Sequence, residues 1–431
     1  MIRIALILCF GMMITRASSQ ELSLNEVLTI AMKNNLGIRI AQHAVDIAEI
    51  NNSYGFAGGL PFVAGTASGN QQLTSIDQRY SNPANNKSST NARSTSITAE
   101  VAGDVLLYNG GRVHNAKHQY ETAVLLTRQQ LDSRVQALFY NVMLKYYDIV
   151  RQESYARTLQ TSIEASKQKL DIVKRQQQVG VANDADLFQS QVDLNTQVQN
   201  LQAQQLVVDQ GKTDLLTLLT LKPDSVILIR DTILVDAGMQ LDSILDAVSQ
   251  NPDVQAAYQQ VVINQYIEKE VGAQRYPSFL LNAGYNFSHT ANAAGFSLYN
   301  QAYGPYIGLG LTIPIFNGNI YRKQEQVAGI NVKIAGLQRD TLLLGINSSA
   351  VKSWQAYKNN LQQMETAKET YDLSQKLLDL VLKRFQYKQA TIVDVKNAQQ
   401  SFENAGFLMI NVSYAAKVSE IQLRRLANKL P

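Results

Sequence analysis

Between Arg112 and Val179 the chain has neither glycine nor proline. A helix over the whole of that run would be roughly 100 Å long at about 1.5 Å per residue. Few globular domains can bury such a rod. Asn109-Gly110-Gly111 precedes it, and before that comes the alternating stretch Val101–Tyr108. The arrangement occurs a second time. Leu309–Phe316 and Asn317-Gly318 lead into Ile320–Tyr387, a run of the same length, with Gly329, Gly336 and Gly345 but no proline. A strand feeding an overlong helix, twice in one chain, is what any fold must accommodate.

The rest of the sequence follows the same duplication. After the first rod, Gly180 and Asn183-Asp-Ala-Asp186 mark a stop and a fresh N-cap. After the second comes Thr391-Ile-Val-Asp394, and the spacing from Asn183 to Thr391 equals that from Arg112 to Ile320. Leu60-Pro61 and Tyr276-Pro277 each precede a strand candidate. Asn34-Asn35 and Asn251-Pro252 each interrupt a helical pattern. The expected organisation is a leader at 1–19 and a first repeat at 20–221. That repeat has strands near 62–72 and 95–107 and helices at 112–179 and 184–221. A linker follows at 222–240, then a second repeat at 241–431 with strands near 279–288 and 303–316 and helices at 320–387 and 392–429. Ser75–Arg93, rich in Ser and Asn and containing Pro83, is expected to be a long exposed loop. All seven internal prolines fall outside the four longest helical runs, as helices require. Val135, Leu138, Phe139, Val142 and Ile149 form an apolar stripe on the first rod. Val351, Trp354, Tyr357 and Leu361 form another on the second.

Composition excludes several classes. The net charge of +4 falls to +2 without Arg3 and Arg16, too near neutral to argue for nucleic acid. Arg3, the apolar run Ile4–Ile14 and the small residues Ala17-Ser18-Ser19 make a secretory leader, with the mature chain beginning near Gln20. The single cysteine, Cys9, lies inside it. Leu8 stands where a lipoprotein signal needs a small residue. The mature chain therefore has no disulfide framework and no thiol nucleophile. No later stretch approaches ~18 consecutive apolar residues, so any membrane crossing must use strands.

The strand candidates suit that role. Phe279, Leu281, Ala283, Tyr285 and Phe287 alternate with Asn282, Gly284, Asn286 and Ser288. Ile307, Leu309, Leu311, Ile313 and Ile315 alternate with Gly308, Gly310 and Thr312. Ile97, Ala99, Val101, Val105 and Leu107 alternate with Thr98, Glu100 and Asp104. An antiparallel sheet in water with one wet face alternates in the same way. Membrane strands of about 9–11 residues put the apolar face in lipid and the polar face in a lumen. Four strands cannot close a barrel, and hydrocarbon tolerates no open edge, so this reading requires several copies to complete one barrel. Glu100 and Asp104 would then give the lumen negative charge.

With these features in place, the chain resembles the TolC family of outer-membrane efflux proteins. The likeness covers nearly the whole mature chain. It rests on the duplicated halves, the two prolines before strands, and Leu107-Tyr108-Asn109-Gly110-Gly111 and Ile315-Phe316-Asn317-Gly318 before long helices. The paired turns at 179–186 and 391–394 complete it. The resemblance implies a mainly α homotrimer. Each chain would give four strands to a shared 12-stranded β-barrel in outer-membrane lipid and its helices to a long α-helical barrel, or tunnel, in the periplasm. Ser225–Met239 and the segments near Leu22 and Lys429 would form an equatorial belt. The implied function is the passive exit duct of a tripartite efflux or secretion system. A periplasmic adaptor (membrane fusion) protein would dock at the tips, and an inner-membrane transporter would supply the energy. Gly180, Asn183 and Asp186 match the first docking tip, Lys388 and Thr391 the second. Asp394 matches an aperture acid. Asn397 stands where some members carry a second one, and Ala390 where some carry a basic latch, so the closing contacts are expected to be weaker here or built differently.

Other sites are weaker. His114 and His118 have metal-compatible spacing, but no third ligand lies nearby and the His-Glu-x-x-His pattern is absent, so polar residues at the strand–helix junction are the expected reading. No phosphate-binding loop, nucleophile elbow or paired-carboxylate signature stands out, and neither catalysis nor a cofactor is expected. The rival from another class is a secreted coiled-coil scaffold or adhesin without channel activity. The sequence leaves the cargo open among drugs, metal ions, small metabolites and polypeptides.

Overall fold

The structure, a computed structural model, describes residues 20–431. The expected leader at 1–19, with Cys9, lies outside the described residues. The chain runs β1 (Gln20–Glu21), α1 (Leu24–Asn34), α2 (Leu36–Asn51), β2 (Phe62–Gln78), β3 (Lys87–Tyr108), α3 (Arg112–Gln178) and α4 (Asp184–Leu218). It continues through β4 (Ile227–Leu228), α5 (Leu241–Val248), α6 (Pro252–Ala273), β5 (Ser278–Asn292), β6 (Tyr299–Thr312), α7 (Ile320–Gln386) and α8 (Ile392–Leu426). The duplication is visible in these bounds. α7 and α8 begin and end at one constant offset from α3 and α4 (112 to 320, 178 to 386, 184 to 392, 218 to 426). α6 and β5 follow α2 and β2 at a slightly larger one (36 to 252, 62 to 278). The difference lies in the hairpins, of which the first is the longer.

By compactness the chain divides across the repeats rather than between them. One unit holds residues up to 42, 130–254 and 342–431, the other 43–129 and 255–341.

The first unit is helical and has three apolar clusters. In one, Leu138, Val142 and Ile149 of α3 pack with Leu215 of α4, with Leu22, Val27 and Leu28, and with Ile227 and Ile229 of the linker. In the next, Ile346, Ala350 and Tyr357 of α7 pack with Leu423 of α8 and Ile244 of α5, with Trp354 and Leu361 against them. Ile346, Ala350, Tyr357 and Leu423 are the repeat equivalents of Leu138, Val142, Ile149 and Leu215 at the helix offset, so both repeats bury the same positions. The linker, the first described residues and the C-terminal residues meet here, with Leu22, Ile227, Ile229 and Leu430 in one cluster. Leu22 N–H donates to Leu228 O at 3.0 Å. The Tyr146 hydroxyl reaches Leu22 O at 3.1 Å and Asp231 at 2.5 Å. Asp236 N–H donates to Glu420 at 3.1 Å.

The two interrupted helices have one explanation. The Asn35 side chain accepts from Ile38 N–H at 3.2 Å and donates to Leu218 O at 3.3 Å. The Asn251 side chain accepts from Asp253 N–H at 3.0 Å and donates to Leu426 O at 3.2 Å. In each repeat one amide starts a helix and satisfies a carbonyl at the end of another, both otherwise unpaired.

The second unit carries a four-stranded antiparallel sheet in the order β2-β3-β5-β6. Its register places Val101 opposite Gly65 and Tyr285, and Ile307 opposite Ala283. Ile97, Val101, Leu281, Tyr285, Ile307, Leu309 and Leu311 thus share one face. Thr98, Glu100, Asp104, Asn282 and Asn286 share the other. The expected loop at Ser75–Arg93 is corrected: the ladder continues to Gln78 paired with Lys87, with a bulge between Thr74 and Ile76, and only residues 79–86 turn. Ladder bonds come from the backbone, so small polar side chains do not end a strand when both faces meet water. β6 also begins at Tyr299, ahead of the expected Tyr303, and leaves the ladder after Thr312, before Pro314, which has no N–H to give.

Candidate functional site at the helical tips and strand–helix corners

Two turns close the long helix pairs. At the first, Gly180 has φ +74°. Its N–H donates to Gln177 O, and Val181 N–H to Gln176 O, both at 2.8 Å. Asn183 then caps α4 by accepting from Asp186 N–H at 2.8 Å. At the second, Lys388 occupies the equivalent position with φ +58°, a left-handed conformation that disfavours a residue with a side chain. Thr391 and Asp394 form a reciprocal capping box. Asp394 N–H donates to the Thr391 hydroxyl at 3.2 Å, and Thr391 N–H and its hydroxyl donate to Asp394 at 2.7 and 2.8 Å. The Thr391 N–H, with the hydroxyl second, holds the Asp394 carboxyl below the usual carboxylate range. The expected docking residues Gly180, Asn183, Asp186, Lys388 and Thr391 therefore lie on two turns of equivalent construction. A shared apolar cluster packs the helices beside them, with Val173, Leu382, Phe385, Val395 and Phe402 buried.

The expected aperture residues also lie together. Asp394 and Asn397 line one cleft of about 410 Å³ with Ala390 and Arg384. Arg384 is the cation on this cleft, where Ala390 offers none.

Sequence reading missed a buried polar array just inside the tips. Lys169 of α3 is fully buried and pairs with Asp193 of α4 at 2.6 Å. Lys396 of α8 stands 3.7 Å from the same carboxylate, and Gln189 donates to it at 2.8 Å. Burial pushes the Asp193 carboxyl up, but the Lys169 and Gln189 hydrogen bonds outweigh it and leave the group below its ordinary value. Next to this, Gln399 of α8 donates to Ser162 Oγ at 2.5 Å and Ser166 Oγ at 2.9 Å, while the Ser162 hydroxyl donates to Glu403. The sequence does carry a signal. Ser162, Ser166, Lys169 and Val173 recur at alternating four- and three-residue steps, so polar groups occupy a seam that should be apolar.

At the corners, Gly110 and Gly111 have φ +68° and +84°, and Gly318 and Asn319 have +67° and +63°. The Asn109 side chain accepts from Val113 N–H at 3.3 Å. Ile320 N–H donates to Asn317 O at 3.4 Å. Gly110 is the crowded one: a Cβ there would lie 2.7 Å from Tyr276 Cβ and 2.8 Å from Ala273 O. On the polar sheet face, the Tyr306 hydroxyl donates to Glu100 at 2.6 Å, and Asp104 pairs across the ladder with Asn282.

A model of the outer membrane efflux protein family matches residues 27–220 and again 244–429. The chain belongs to that family. The two matches coincide with the two repeats. Among solved structures, CusC is similar with a TM-score of 0.77 at 17% identity, over 94% of this chain and 91% of that one. The Campylobacter jejuni CmeC outer membrane channel gives 0.75 at 17%, over 94% and 85%. VceC of Vibrio cholerae gives 0.74 at 15%, over 94% and 95%. An uncharacterized Haemophilus influenzae protein is 21% identical over 72% of this chain and 68% of its own length. This efflux family comprises channels rather than enzymes, and CusC, CmeC and VceC share the fold found here.

Proposed function

We propose that this chain is the outer-membrane exit duct of a tripartite efflux or secretion system. It is a passive channel from periplasm to exterior that its partners open. One observation carries the reading: both sheet edges are open, and an exposed apolar helical stripe lies next to each in the chain. Strands β2 and β6 are the two sheet edges. On the lipid-type face, Ile307 and Leu309 are about three-quarters exposed. α2 leads into β2, and α7 follows β6. On α2 and just beyond it, Leu36, Ile40, His43, Ile47, Ile50 and Tyr54 recur at alternating four- and three-residue steps, all on the outer side. On α7, Val327, Ile330, Ile334, Leu337, Thr341 and Leu344 are exposed at the same alternating steps. Both are heptad seams without a partner. Each lies opposite a buried stripe on the same helix, Ile38 and Val45 on α2, Ala328 and Ala335 on α7. A second copy presenting α2 and β2 to α7 and β6 covers both seams and pairs both edges at once. Three copies of four strands give the family's 12-stranded barrel and a homotrimer.

At the periplasmic end, Asp394 side chains from three chains line the aperture, with Asn397 behind them. The adaptor docks on the turns at Gly180–Asp186 and Lys388–Thr391, and the inner-membrane transporter supplies the energy. Opening moves α7 and α8 outward. The closing contacts missing at Ala390 and Asn397 are replaced by the array that ties Lys396, Gln399 and Glu403 of α8 to α3 and α4. Glu100 and Asp104 add negative charge to the lumen. In planar bilayers the purified protein should conduct weakly with a cation preference that Asp394→Ala lowers. An unchanged preference would remove Asp394 from the aperture.

A further inference from the structure

His114 and His118 lie in the first two turns of α3, on one face, and nothing in the exit-duct reading uses them. Their Nε2 atoms face each other at 2.9 Å. The His118 ring lies on that of Tyr266, with centroids 5.3 Å apart and planes inclined by 28°. Its Nδ1 is 2.7 Å from a Glu121 oxygen. The other Glu121 oxygen receives Lys117 Nζ at 2.7 Å, and Lys117 also donates to Asn52 at 2.7 Å. The His118 ring is thus fixed by stacking on one side and by a braced carboxylate on the other. A carboxylate at Nδ1 keeps the proton there and leaves the Nε2 lone pair pointing outward, the arrangement that orients metal-bound histidines.

We infer that His114 and His118 chelate a divalent transition cation of tetragonal preference, Cu2+ or Ni2+, through their two Nε2 atoms. The spacing chooses the geometry. Two nitrogens about 2.1 Å from a metal and at right angles lie about 3.0 Å apart, whereas a tetrahedral centre separates them by about 3.4 Å. The observed 2.9 Å, the N–H···N hydrogen-bond distance between the two rings, lies nearer the right-angled case. In the neutral pair a single N–H bridges the rings. The cation takes that bridging position, and His114 transfers its proton through water to Nδ1, with no net proton release. Among the described residues no group of three side chains converges as metal ligands, so water completes the shell. His114 is exposed, which gives the cation its entry path.

The chain has four histidines, so the experiment is compact. Untagged full-length protein in detergent is titrated with Cu2+, Ni2+ and, as a control, Mg2+. We expect one Cu2+ or Ni2+ per chain and none of Mg2+. His114→Ala/His118→Ala should abolish that equivalent, His289→Ala should retain it, and Glu121→Gln should weaken it by about tenfold or more. Electron spin resonance of the unmodified Cu2+ complex should show a tetragonal centre coupled to two imidazole nitrogens, a readout that depends on no variant folding. Binding that survives in His114→Ala/His118→Ala, binding lost in His289→Ala, or a copper spectrum with fewer than two imidazoles would each overturn the assignment.

Discussion

Gly110 and Gly318 occupy the same corner in the two repeats, and they offer a comparison in which the backbone cancels. Their φ angles are +68° and +67°, so replacing either by alanine costs about 1 kcal/mol of left-handed strain. Their surroundings differ. A Cβ on Gly318 would meet nothing within 4 Å, but one on Gly110 would stand 2.7 Å from Tyr276 Cβ and 2.8 Å from Ala273 O. Both neighbours sit close to the backbone and cannot swing aside, so α6 or the corner itself must shift. Forcing one extra carbon into such a contact costs roughly a further 1–3 kcal/mol. Gly110→Ala should therefore lose about 2–4 kcal/mol and Gly318→Ala about 1 kcal/mol. Gly111→Ala, with φ +84° and open space, should behave like Gly318→Ala. The assay is urea unfolding followed by circular dichroism at fixed protein concentration, since assembly contributes to apparent stability. Tyr276→Ala retains the offending Cβ and should not rescue Gly110→Ala. Equal losses at positions 110 and 318 would refute the close approach.

Three further expectations concern the tips and the seam. The Asp394 carboxyl titrates below its ordinary value of 3.8 because Thr391 donates to it, so its contribution is full above that value and is lost as pH falls through the depressed one. Acid should loosen the start of α8 in hydrogen exchange, and Asp394→Asn should flatten that dependence; a variant with the same acid profile would exclude the capping box. Lys169→Met leaves the Asp193 carboxylate with the Gln189 amide at 2.8 Å and the Lys396 cation at 3.7 Å, and should cost about 3 kcal/mol, measured by urea unfolding, with Asp193→Leu in the same chain recovering most of it. Ile47→Lys or Ile334→Lys should abolish heat-modifiable oligomers in gel electrophoresis, and Ile47→Lys with Ile334→Glu should restore part of them. Oligomers that survive both single changes would show that neither seam is an interface.

Periodicity and punctuation made much of this fold legible. A run as long as Arg112–Val179 without glycine or proline has few alternatives to helix. Two glycine corners at one offset fix where each helix starts. Alternation on β3, β5 and β6 separates a mainly apolar face from a mainly polar one. The caps at Asn183 and Thr391 were readable for the same reason, because a cap acts within three residues. Gly180 could therefore be placed on a turn, and Asp186 and Asp394 at helix starts, from local sequence, whereas Lys388 was placed through the family resemblance.

Tertiary structure decided what depends on distant partners. That polar residues beyond Thr74 continue a ladder follows from the strand beside them. That Gly110 is crowded while Gly318 has room follows from Tyr276, which the chain supplies from its other repeat. That Lys169 is buried, and that Asn35 and Asn251 each join two helices, depends on which surfaces the packed helices present. The rods, their corners and their duplication were set by local backbone preference, which sequence displays directly. Which faces close within the chain and which stay exposed was set by packing, and only the folded arrangement shows it.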